Sequence, residues 1–297
     1  MAVSKGKFSK DAKDAYILVL PFFIFFAVFI LIPVFNILRY SFTKYDLFGD
    51  PVFVGLHNFR FMLNDPVFLQ SLRNTIVYTT FTVIPVLILG FIIANLLNNR
   101  SIGAKRTLRV LFYMPYVPSM VSMAVVWMWF YDPITGIFNH LLTAINLTPQ
   151  SWLSDPDLAL PSIIAVSIWQ QIGYAMVIYL AGLQMVPYSM YEAADIEGAG
   201  PLRKIVSITI PMVKETTFFL VVVLIIRSFN VFGQVNVMTS GGPLNRTTTI
   251  IHQVYLRAFS DFRFGYASSM SFIVLLIVGL ITILNFKYGR TAHEREQ

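Results

Sequence analysis

Arg227, Asn230 and Gln234 are spaced three and four apart inside an apolar run, so on one continuous helix they would share a face. Ser228 and Val231 flank that face. A second polar group, Gln170, Gln171 and Tyr174 beside Trp169, lies inside another apolar run. Side-chain amides offer paired donors and acceptors, and aromatic rings offer a flat apolar face. Sugars present hydroxyls at their edges and C–H groups on their faces, so this combination suits a sugar. The same residues also suit hydrogen bonds between neighbouring helices. Arg227 admits two chemistries: pairing with an acidic group on a partner helix, or neutralising an anionic substrate.

Other chemistries find little support. The chain has no cysteine, which removes disulfides, thiolate metal sites and cysteine nucleophiles. His57, His140, His252 and His293 are scattered without ligand spacing, so no metal site is expected. No G-x-x-x-x-G-K-[ST] loop is present, and the GAGPLRK segment at 198–204 lacks the preceding strand that a nucleotide loop requires. A hydrolytic triad finds no credible nucleophile and base.

The elements that hold these residues are membrane spans. Of 297 residues, 56% are hydrophobic and 12% charged, and the mean hydropathy is +0.68. A soluble domain carries about twice that charged fraction. Six runs are long enough to cross a bilayer, near 16–38, 74–97, 110–131, 160–183, 216–238 and 264–286. No strand-like alternation competes with them, so a transmembrane β-barrel is not expected. The first run is too long for a signal-peptide core and lacks a small-residue cleavage site, so it reads as a retained span. The expectation is an all-α polytopic membrane protein: an N-terminal arm at 1–15, a six-span domain at 16–288 and a tail at 289–297.

Basic residues set its orientation. With the N-terminus in the cytoplasm, the cytoplasmic segments hold 14 of the 22 lysines and arginines. These are Lys5, Lys7, Lys10 and Lys13 in the arm; Arg100, Lys105, Arg106 and Arg109 after the second span; Arg203, Lys204 and Lys214 after the fourth; and Lys287, Arg290 and Arg295 in the tail. Both termini are therefore expected in the cytoplasm. This bias accounts for the net charge of +7 without nucleic acid.

The longest polar interruption on that side is Tyr191 to Pro211, which holds Glu192, Asp195, Glu197, Arg203 and Lys204. The pattern VPYSMYEAADIE from Val186 predicts a short helix, with Pro187 in its first turn, Ser189 as a possible cap, and Gly198 and Gly200-Pro201 ending it. Tyr191, Ala194 and Ile196 leave a small apolar surface among the carboxylates. A helix lying on lipid headgroups would bring Glu192, Asp195 and Glu197 against an anionic leaflet, whereas docking into another protein does not.

At these residues the sequence resembles a known family. Glu192-Ala193-Ala194, three residues, Gly198, nine residues, Ile208, one residue and Ile210-Pro211 resemble the EAA loop of bacterial ABC importer permeases. Ile210 stands where that family usually has leucine. Ile178–Val186, Met238–Pro243 and Phe264–Ser268 are similar to segments of carbohydrate permeases, and the resemblance spans roughly 16–288, closest to the maltose-type subunit. It implies the type I ABC importer permease fold in the bacterial cytoplasmic (inner) membrane, with the EAA loop over 187–211. It implies a second homologous permease subunit, two ABC ATPase subunits and an extracytoplasmic solute-binding protein as partners, besides the lipid bilayer and a sugar substrate. ATP and magnesium would reside on the ATPase subunits, leaving this chain without a cofactor and without enzymatic activity of its own. Glu192, Ala193, Ala194, Asp195, Gly198, Ile208 and Pro211 would couple to the ATPase. The family's sugar contacts fall at Gln170, Gln171, Tyr174, Leu224, Arg227, Ser228, Val231 and Gly233. Arg227 and Gly233 depart from the maltose pattern, which keeps an anionic sugar or a sugar or polyol phosphate open beside a neutral oligosaccharide. A stand-alone secondary transporter would want a membrane-embedded carboxylate, and the six predicted runs contain none.

Overall fold

The computed structural model describes residues 5–46, 48–99 and 104–293. Arg100 and Arg295 of the charge pattern, and the first four residues of the arm, lie outside them. Helix α1 spans Lys5–Phe26 and α2 spans Ile32–Ser41, joined by a π-helical turn at Ala27–Leu31. A hairpin of β1 (Thr43–Lys44) and β2 (Val52–Phe53) precedes α3 (His57–Asn64), α4 (Pro66–Asn98), α5 (Lys105–Tyr113), α6 (Met120–Phe130) and α7 (Ile137–Ala144). Then come α8 (Ala159–Gln184), α9 (Tyr188–Ile196), α10 (Pro201–Lys204), a π-helical turn at Ile205–Thr209 and α11 (Ile210–Met212). The chain closes with α12 (Lys214–Phe229), α13 (Gly233–Met238), α14 (Ile250–Tyr255), a π-helical turn at Leu256–Ser260 and α15 (Phe264–His293).

Among the described residues, five stretches are long and apolar enough to cross a membrane: Ala15–Ser41, Pro66–Asn98, Ala159–Gln184, Lys214–Met238 and Phe264–Asn285. The third predicted span is not one straight helix. Lys105–Tyr116 and Met120–Phe130 meet at 92°. Pro115 and Pro118 flank the bend, and each removes an N–H and crowds the preceding turn. Proline also explains two of the π-helical turns. Pro33 and Pro211 cannot donate to the residue four back, and just before each the chain opens by one residue, so that Ile32 and Ile210 donate to Ala27 and Ile205 instead.

The described chain divides into two compact units. One comprises residues up to Met62 together with Val254–Ile273. In it the antiparallel hairpin pairs Thr43 with Phe53 and Lys44 with Val52. Asn58 pins the hairpin by donating to the carbonyls of Ser41 (3.0 Å) and Thr43 (2.9 Å). Tyr45 stacks on Tyr40, and Phe61 meets Tyr266 edge-on. The apolar window of Ala15–Ser41 buries none of its residues within the chain. Such a surface requires hydrocarbon or another subunit around it.

The second unit comprises Leu63–Gln253 and the residues from Val274 on. Its scaffold is α4 packed along α8. Helix α4 starts eight residues earlier than the span predicted from hydropathy. Asp65 accepts from the Val67 N–H at 2.9 Å as N-cap, and Pro66 occupies the first helical position, a pairing that favours a helix start. The helices cross closely because Gly90 has no side chain. A Cβ there would come within 2.7 Å of the Ala175 Cβ and 3.2 Å of the Met176 N. Val86, Ala94, Ala175, Met176, Tyr179, Leu183, Leu220 and Leu224 form one core. Tyr78, Ala124, Ile163, Val166, Val231 and Val235 belong to a second.

Candidate functional site

Helix α9 carries the Glu192-Ala193-Ala194 motif, and its surroundings follow from local sequence. Pro187 is the N-cap rather than a first-turn residue, so Ser189 sits inside the helix and does not cap it. At the other end the Gly198 N–H donates to the Asp195 carbonyl (3.0 Å) and the Ala199 N–H to that of Ala194 (2.8 Å). This is a Schellman closure, and Gly198 adopts the left-handed φ of +74° that it requires. The returning segment is tied to α9 by a Tyr191 Oη to Thr209 Oγ1 contact of 3.1 Å and an ion pair between Lys204 and Asp195. Tyr191 and Ile208 pack against the α4–α8 core, which roots the loop in the span bundle. Glu192, Ala193, Asp195 and Glu197 are exposed, Ala194 is half-buried, and Ile196 is 89% and Leu202 75% exposed. Pro211 is exposed too, and the chain bends two residues later at Val213 before α12. The seven residues assigned to the motif therefore lie on one exposed loop or at its root.

The polar residues of the spans divide into two sets. Arg227, Asn230 and Gln234 do not share a continuous helical face, because α12 ends at Phe229 and α13 begins at Gly233. Asn230 is the C-cap of α12 and returns its amide to the Ile226 carbonyl (2.7 Å). Gln234 is buried. Tyr78 donates to Ser167 Oγ (2.7 Å), Ser167 to Gln234 Oε1 (2.5 Å), and Gln234 Nε2 to Gln170 Oε1 (3.2 Å). This chain of bonds joins α4, α8 and α13, so Gln170 and Gln234 spend polar groups on interhelical contact. Leu224, Ser228 and Val231 are buried as well, and Gly233 lies against Met120 and Val121 with room for a Cβ.

The second set gathers around an exposed arginine. Arg227 is exposed, and its guanidinium carbon lies 4.8 Å from the Tyr174 ring centroid and 5.3 Å from that of Tyr116. The two tyrosine rings stack at 5.0 Å, with Tyr113 5.5 Å beyond. Gln171, one turn before Tyr174 on α8, has a buried Oε1 without a partner among the described residues. Sequence reasoning missed Tyr116. Its signal was an aromatic residue between Pro115 and Pro118, where the bend swings α5 beside α8. A groove of about 390 Å³ lies elsewhere between α4 and α8, lined by Val77, Phe81, Pro85, Leu160, Ile164 and Ile168 among others. None of the sequence-predicted residues lines it.

After the fifth span, the 239–250 loop is tightly bonded. Asn74 donates to the carbonyls of Asn245 and Thr248, each at 2.9 Å, and Thr249 to that of Val231 at 2.9 Å. Just after it, in the first turn of α14, His252 is 1% exposed and contacts Thr248 Oγ1 of the loop through Nδ1 at 3.0 Å. Burial pushes its pKa below the ordinary histidine value. Among the described residues no cluster of His, Asp or Glu could hold a metal ion.

Residues 86–290 match the family described as binding-protein-dependent transport system inner membrane component. The probable ABC transporter permease protein YesP of Bacillus subtilis is 37% identical over 283 residues, covering 94% of this chain and 91% of YesP. YurN of the same organism, also a probable ABC transporter permease, is 32% identical over 94% of this chain and 97% of its own length. The sn-glycerol-3-phosphate transport system permease UgpA of Pectobacterium atrosepticum is 32% identical, with 92% of each chain covered. Among solved structures, a chain of a bacterial ABC transporter involved in import of the acidic polysaccharide alginate superposes with a TM-score of 0.85 at 22% identity, over 96% of this chain and 99% of that one. The fold is that of a type I ABC importer permease.

Proposed function

From its membership of the binding-protein-dependent inner-membrane component family, as a permease subunit of an ABC sugar importer, we propose that this chain moves a sugar across the bacterial cytoplasmic membrane by alternating access. The observation that carries the mechanism is the rooted, exposed α9 loop in a chain without a nucleotide loop of its own. In this reading ATP and magnesium bind two ATPase subunits, and each ATPase cleft receives one such helix. Exposed Ile196, with Glu192 and Glu197 beside it, offers an apolar knob in an acidic surround for that cleft. The Tyr191–Thr209 contact, the Lys204–Asp195 pair and the packing of Ile208 make the loop a lever that passes motion on to α8 and α12. Both termini face the cytoplasm, the bent α5–α6 pair completes six crossings, and a second homologous permease covers the faces left open.

An extracytoplasmic solute-binding protein delivers the cargo, consistent with a solved relative of this fold, an alginate ABC transporter in complex with its pentasaccharide-bound periplasmic protein. Of the predicted substrate residues, Arg227 and Asn230 are the exposed ones, and Tyr174 and Gln171 are half-buried behind them. Leu224, Ser228, Val231, Gly233, Gln170 and Gln234 support them from behind.

The test is association of the detergent-purified permease pair with the ATPase subunits. Glu192→Lys reverses the charge of an exposed side chain, and at least tenfold weaker association is expected with an unchanged thermal unfolding midpoint. Wild-type association and wild-type uptake in that variant would remove α9 as the docking element.

A further inference from the structure

Arg227 carries a charge inside a span, and no described residue of its own chain neutralises it. It lies thirteen residues beyond the start of α12, about 20 Å into the Lys214–Met238 span, which faces a hydrocarbon core of about 30 Å. A charge at that depth is costly and is kept where it meets a counter-charge or a water-filled path. Among the described residues of all the candidate spans, the only carboxylate is Glu215, at the far end of the same helix. No ion pair or hydrogen bond of Arg227 to an acceptor occurs among the described residues.

What Arg227 does have is a platform. Tyr116 and Tyr174 lie under the cation at 5.3 and 4.8 Å. A guanidinium held against ring faces keeps its plane fixed while its N–H edges stay free. Those edges match the two oxygens of a carboxylate or phosphate, the pairing that favours arginine over lysine.

We propose that the cargo is an anionic sugar, a uronic-acid saccharide or a sugar or polyol phosphate, whose acidic group is clamped by the N–H edge of Arg227 on the Tyr116–Tyr174 platform. This rests on the importer reading and adds the charge class of the substrate and the residue that selects it. A carboxylate of the second permease would serve the same electrostatic need, and the experiment separates the two.

The complete importer, with its binding protein, is reconstituted in proteoliposomes and offered a uronic-acid disaccharide, its carboxyl-reduced neutral counterpart, sn-glycerol 3-phosphate and glycerol. Uptake of an acidic member is expected, well above its neutral counterpart. Which acid is carried distinguishes a carboxylate from a phosphate cargo. Arg227→Gln should lower that uptake at least tenfold, and Arg227→Lys should restore part of it, because a point charge replaces the fork. Equal or preferred uptake of the neutral counterparts overturns the inference, as does acidic uptake within twofold of wild type in Arg227→Gln. Loss of co-purification of the second permease in Arg227→Gln also overturns it, by assigning the arginine to the subunit contact. Absence of ATP-driven uptake for every sugar, acidic or neutral, would instead remove the importer reading itself.

Discussion

Replacing Gly198 with alanine isolates the backbone at the end of α9. A Cβ built on Gly198 meets nothing within 4 Å, so sterics with neighbours contribute nothing. The cost comes from φ of +74°, where an L-residue brings Cβ against the following carbonyl at about 1–2 kcal/mol. That penalty falls on the Schellman-closed loop and not on a frayed one, in which Gly198 and Ala199 give up their bonds to Asp195 and Ala194. If only the closed loop docks, the apparent affinity for the ATPase subunits falls by at most the same factor, about 5- to 30-fold. Asparagine tolerates the left-handed region better, so Gly198→Asn should lose less than Gly198→Ala. Titrating detergent-purified permease with labelled ATPase subunits reads both affinities. An alanine variant that binds as wild type while the asparagine variant binds worse would refute the reasoning, since side-chain volume and not backbone handedness would then govern docking.

Gln234→Leu should destabilise the folded chain by about 2–3 kcal/mol, because it strips the acceptor from Ser167 and the donor from Gln170 in a buried network; a lowered unfolding midpoint in detergent checks this, and an unchanged one counts against the network. His252 has a depressed pKa in the fold, so the loop holds it neutral. The unfolded state then binds more protons as pH falls through about 6.5, and the loop loses stability below that value and keeps it above. Amide-exchange protection factors at 239–252, each taken relative to the intrinsic rate at that pH, should fall between pH 7.5 and 5.5 in the wild type and much less in His252→Gln.

The spans were legible because their apolar length is set by the bilayer and needs no tertiary knowledge. The loop at 187–211 was legible for a similar reason: proline and glycine act on the backbone locally, and Gly198 closes α9 as its type demands. The kink in the third span was written in Pro115 and Pro118, but the size of a bend depends on what packs against it, and so its partner Tyr116 was missed. The face shared by Arg227, Asn230 and Gln234 failed because spacing arithmetic assumes an uninterrupted helix. Asn230 ends one helix, and Gln234 on the next turns into Tyr78, Ser167 and Gln170. Whether a span glutamine binds a neighbour or a ligand is decided by residues far away in sequence. That is why Gln170 and Gln171, adjacent in the chain, fare so differently. The start of α4 was readable after all, since Asp65-Pro66 is a helix-initiating pair that hydropathy alone passes over.

In the importer reading this chain is a conduit driven by partners through α9. Sugar uptake into proteoliposomes tests it most directly, comparing the chain alone with the chain joined by its second permease, ATPase subunits and binding protein. Uptake is expected only from the full assembly, only with hydrolysable ATP, and is lost in Glu192→Lys. Equal uptake by the chain alone without nucleotide would contradict it.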